Sequence, residues 1–142
     1  MAFASVNYLS ILIAAVAAWI FGGIYYTSLS KPWLAAQGKS LEQCQAEQAA
    51  KSGAAKVAPF ILVFVGELII AWVLYGILLH LNMFTLRAGI ISGALCWFGF
   101  VLTTMTVNNA FCGRKPMLTV IDGGGWLGAL VIIGAIVGWM GP

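Results

Sequence analysis

Two carboxylates, Glu67 and Asp122, are the residues best suited to chemistry, because each stands inside a long run of apolar residues. An ionised side chain in hydrocarbon is costly unless it is paired, protonated or hydrated, so a carboxylate in such a run is a candidate for binding a proton or a cation. Thr104 and Asn108 fall four apart, hence on one helical face, with Asn109 beside them and Arg114 a little beyond. Drawn together, Glu67, Asp122, Thr104, Asn108, Asn109 and Arg114 would line a wet pocket at one end of a helical bundle. The same residues have a plainer use: Thr and Asn hydrogen-bond across packed membrane helices, and an Asp near a helix end pairs with an Arg such as Arg114 or caps its own helix.

Gly123, Gly124 and Gly125 follow Asp122 directly, weakening the helix there and letting another backbone or a ligand come close. Pairs of glycines four apart, Gly89 with Gly93, Gly124 with Gly128 and Gly134 with Gly138, predict close helix packing instead. Other chemistry finds little support. His80 lies thirteen residues beyond Glu67 and so on another face of the same helix, and Cys44, Cys96 and Cys112 show no CxxC spacing. No metal and no cofactor are expected. A nucleophile elbow, an HExxH helix and a phosphate-binding loop are all missing from the sequence, which reads as that of a non-enzyme.

These groups must be positioned by membrane helices. Of the 142 residues 62% are hydrophobic and only 8% charged, against about a quarter charged in soluble domains. Four apolar runs, about 6–28, 58–81, 87–111 and 117–140, are each long enough to cross a hydrocarbon layer of about 30 Å. No Lys or Arg precedes the first, which argues for a retained helix rather than a cleaved signal. Pro59 suits the first turn of the second. The short links after Leu81 and Phe111 make helices two, three and four antiparallel neighbours. The expected fold is all-α: a single membrane domain over 1–142, built as an integral membrane four-helix up-and-down bundle.

The loop at about 29–57 is the one sizeable polar segment. Ser40 and Gln43 read as a capping box, Glu47 and Lys51 as an i,i+4 pair, and Gly53 as a stop, which predicts a short surface helix over 41–52. Lys31, Lys39, Lys51 and Lys56 in this loop, with Arg114 and Lys115 in the third link, outweigh the lone Arg87 in the second. By the positive-inside rule the 29–57 loop faces the cytoplasm and both termini lie outside, and the net charge of +3 sets orientation rather than nucleic-acid binding.

One stretch is more specific. Asn7-Tyr8-Leu9, then Gly22-Gly23-Ile24-Tyr25-Tyr26-Thr27-Ser28, then Asn109-Ala110-Phe111-Cys112-Gly113-Arg114 with Ile121-Asp122-Gly123-Gly124, make the chain look like a member of the domain-of-unknown-function 1761 family. The resemblance covers nearly the whole chain. It implies small bacterial proteins of the cytoplasmic (inner) membrane with about four helices and no assigned activity. The family pattern implies a His shortly after the Asp-Gly pair; Gly124, Gly125 and Trp126 stand there instead, so a site needing that His does not carry over.

The expected partners are the lipid bilayer and either further copies of the chain, giving a homo-oligomer, or another membrane protein of which it is an accessory subunit. The alternative is a small proton- or cation-coupled transporter using Glu67 and Asp122.

Overall fold

The computed structural model describes residues 6–142. Every regular element among them is helical: α1 Tyr8–Ser28, α2 Ser30–Ala36, α3 Leu41–Ala50, α4 Gly53–Leu81, α5 Leu86–Cys96, a π-helical segment Trp97–Leu102, α6 Thr103–Phe111 and α7 Pro116–Met140. Four helices are long and apolar enough to cross a membrane: α1, α4, the continuous α5–π–α6 helix and α7.

Local chemistry sets most of the ends. The Asn7 side chain accepts from the Ser10 N–H, Ser52 Oγ from the Ala55 N–H and Thr85 Oγ1 from the Ala88 N–H, each supplying a partner to one of the orphan donors of a first helical turn. The cap at Ser52 changes two expectations. α4 begins at Gly53 rather than near residue 58, so Gly53 opens α4 instead of ending α3, and Pro59 lies inside the helix rather than in its first turn. α2 was not expected either. Its Pro32 is third in the helix, where the lost N–H would have had no intrahelical partner.

Ser40 and Gln43 form a reciprocal capping box at the start of α3. Glu47, however, pairs with Lys39 at 2.8 Å rather than with Lys51, because the backbone is extended at Lys51 and its side chain leaves the helical face. The hydrogen bond and charge of Lys39 hold the exposed Glu47 carboxyl below the usual carboxylate range.

Packing is uneven and centres on α7, which packs against α5, α1 and α4. Ala14, Ala15 and Ala18 of α1 are fully buried, and α4 turns inward a stripe of Glu67, Ala71, Leu74, Tyr75 and Leu78 at helical spacing. Against α5 the contact is backbone on backbone: a Cβ on Gly89 would fall on the Gly134 carbonyl, one on Gly93 on the Leu130 carbonyl, and one on Gly138 on the Thr85 carbonyl. At that end the Asn7 N–H donates to the Tyr75 hydroxyl and Asn7 Nδ2 to the Gly141 carbonyl, both at 3.1 Å, tying the ends of α1, α4 and α7 together.

Candidate functional site

Tyr25 and Tyr26, at the last turn of α1, face Asp122 in the second turn of α7. Tyr26 Oη and Trp33 Nε1 of α2 both donate to Asp122 Oδ1 at 2.9 Å. The backbone on either side is held as well: Tyr25 Oη donates to the Ile121 carbonyl at 2.8 Å, and Trp97 Nε1 to the Gly123 carbonyl at 2.7 Å. Four aromatic donors from three elements therefore converge on three consecutive residues of α7. The Tyr25, Tyr26 and Trp33 rings also touch in series, with centroids 5.3 and 5.4 Å apart in edge-on geometry.

The glycines after Asp122 make room for this collar. A Cβ on Gly124 would come within 2.6 Å of the Tyr25 hydroxyl, one on Gly125 within 3.1 Å of the Tyr26 hydroxyl, and one on Gly128 would enter the Phe21 ring. Gly124 and Gly128 thus receive aromatic side chains of α1, whereas Gly89, Gly93, Gly134 and Gly138 admit backbone at the α5–α7 contact. α7 runs unbroken through all three glycines.

Arg114 does not bond Asp122, whose Oδ1 is already taken by Tyr26 and Trp33. Its guanidinium donates to Asn109 Oδ1 at 3.3 Å, and Asn109, buried against α7, donates through Nδ2 to Thr119 Oγ1 at 2.9 Å. Lys115 Nζ reaches the Ala35 carbonyl at 3.2 Å. Between these groups opens a cleft of ≈ 530 Å³, with Trp33, Gln37, Arg114, Lys115, Leu118 and Asp122 in its walls. A groove at the opposite end, lined by Ile13, Ile136, Trp139 and Met140, is almost wholly apolar.

The remaining sequence candidates lie elsewhere. Thr104 and Asn108 face outward from α6. Glu67 is the fifteenth of the 29 residues of α4, hence midway along it rather than in the half nearer Asp122. Its residue is 2% exposed and Oε2 has no hydrogen-bond partner. Asn7 fixes the register, since Tyr75 and Gly141 both bond to it. At about 1.5 Å per residue, Glu67 lies about 12 Å below that level and Asp122 about 28 Å below it. An axial gap of about 16 Å keeps the two carboxylates from sharing one ligand. Among the described residues no three His, Cys, Asp or Glu side chains converge as a metal site would need.

Sequence reading missed the aromatic donors to Asp122. By residue type alone Tyr25, Tyr26 and Trp33 suit a membrane–water interface, which says nothing of a bond to Asp122. The available signal was a Tyr pair and a Trp within nine residues at one helix end, opposite a carboxylate followed by three residues with no side chains to obstruct them.

Residues 9–138 match the family model described as a protein of unknown function, DUF1761. No curated protein and no solved structure matches the chain.

Proposed function

We propose that this chain, which belongs to the DUF1761 family of proteins of unknown function, is a non-enzymatic integral membrane protein that works by lateral association, with copies of itself or as an accessory subunit of another membrane protein. The observation that carries this reading is the outward polar face of α6. The α5–π–α6 helix is only 6% buried over its most apolar window, yet Thr104 and Asn108 point away from the rest of the molecule. Lipid tails offer such groups no partner, whereas a neighbouring helix does. In this reading four spans run up and down through a bacterial inner membrane, with α3 on the cytoplasmic surface and the Asn7–Gly141 end outside, following the distribution of Lys and Arg.

A second reading, a proton- or cation-coupled transporter, draws on Glu67, whose Oε2 is buried without a partner midway along a membrane-length helix. One experiment separates the two: the native mass of gently extracted protein, measured for the wild type, for Thr104→Val with Asn108→Leu, and for Glu67→Gln. Association through α6 predicts a multimer or a stoichiometric foreign subunit that the α6 double variant sheds and Glu67→Gln keeps. A monomeric wild type that takes up protons or cations in vesicles, and ceases to in Glu67→Gln, would replace the first reading by the second.

A further inference from the structure

We propose that the cleft beside Asp122 is a binding site for a zwitterionic amino-phosphate group, the phosphoethanolamine headgroup of a membrane phospholipid. The walls carry opposite charges on fixed supports. On one side stands Asp122, with Oδ1 locked by Tyr26 and Trp33 so that Oδ2 is the oxygen available to the cleft. On the other stand Arg114, braced by the Asn109–Thr119 pair, and Lys115, whose ammonium spends one bond on the Ala35 carbonyl and keeps two further N–H groups.

A simple anion would meet the Asp122 carboxylate, and a simple cation would meet Arg114 and Lys115. A ligand with an ammonium a few ångströms from a phosphate satisfies both walls. The start of α7 favours the same polarity. Its N-cap, Lys115, places no side chain on the first-turn N–H groups, so the positive end of the 25-residue helix dipole carries no side-chain cap beside the two cations.

The depth of the cleft points to a lipid as the source. It lies at the ends of membrane-length helices, where α6 turns into α7 through Gly113, Arg114 and Lys115, and where the backbone reverses after α2 at Gly38 with φ +73°. Trp33, a residue that favours the headgroup layer, forms one wall, and Leu118 offers an apolar surface within it.

The test is lipid retention. Protein is equilibrated with an equimolar mixture of phosphatidylethanolamine, phosphatidylcholine and phosphatidylglycerol, and the lipid that stays bound is identified by native mass measurement. The wild type should retain phosphatidylethanolamine over both others, because choline cannot donate a hydrogen bond to Asp122 and glycerol brings no cation. Asp122→Asn, which keeps an oxygen for Tyr26 and Trp33, should erase that preference by about tenfold while still binding phospholipid. Arg114→Gln with Lys115→Gln should weaken retention of all three. Displacement by millimolar free phosphoethanolamine would assign the same chemistry to a soluble ligand and overturn the lipid as its source. Equal retention of the three lipids by the wild type, or an unchanged preference in Asp122→Asn, would overturn the site itself.

Discussion

Asp122 owes its surroundings to side chains distant in sequence, and its energetics follow from them. A carboxylate oxygen that accepts two N–H or O–H donors in a partly buried setting is strongly held, since each such charge-assisted bond contributes about 1.5–3 kcal/mol. Trp33→Phe should therefore lower the unfolding free energy in detergent by about 1–3 kcal/mol, and Tyr26→Phe by a similar amount. Combined, the two should cost more than the sum of the single losses, because either donor alone still serves Oδ1 and only the double variant leaves it without a partner. A double-mutant cycle by thermal unfolding checks this, and full additivity would mean that the two donors act on separate acceptors. At this scale the sequence disclosed which carboxylates sit in apolar runs, because charge against hydropathy is local. It did not disclose that Tyr26 and Trp33 lie 96 and 89 residues from their acceptor in contact with it, since pairing across helices depends on register.

Among the elements, the four long apolar helices were readable because a membrane-length run with at most one charged residue has few other uses. The early start of α4, the helical α2 and the π segment were not. The first depends on one hydroxyl at Ser52, and the last on a single extra residue in a helical turn that leaves the composition unchanged. The glycines divide by the same geometry. At Gly89 a methyl group meets the rigid Gly134 carbonyl, while at Gly66 nothing lies within 4 Å. Gly89→Ala should push α5 off α7 and destabilise by about 3 kcal/mol or more, a steric overlap that neither backbone can relieve by rotating a side chain. Gly66→Ala should be neutral or stabilising by up to about 1 kcal/mol, since alanine is the better helix former. Thermal unfolding of the two single variants in the same detergent is the measurement, and equal losses would place the α5–α7 contact elsewhere.

Across the whole molecule, stability is graded from α7 outward. The most apolar window of α7 is 44% buried, that of α1 28%, of α4 17% and of α5–π–α6 6%. Ile133 and Val137 are fully enclosed, while much of the first half of α4 is exposed. Amide exchange should follow the same order in detergent, slowest in the second half of α7 and in the Ala71–Leu78 stretch of α4, and fastest in α3 and the first turns of α4. Exchange measured by mass spectrometry on proteolytic fragments checks it, and uniform protection along α4 would contradict the gradient.

The central position of α7 also bears on how the protein is made. Ribosomes deliver the chain in order, so α1, α4 and α5 enter the membrane before the helix that they all pack against. α1 and α4 can meet early, through Ala14, Ala15 and Ala18 and the stripe from Ala71 to Leu78. α5 touches α4 as well, but the backbone contact at its Gly89 and Gly93, with Gly134 and Leu130, is still unmade. Final assembly therefore waits for α7, and on the proposed membrane arrangement a ribosome that stalls before residue 116 leaves three spans without their keystone.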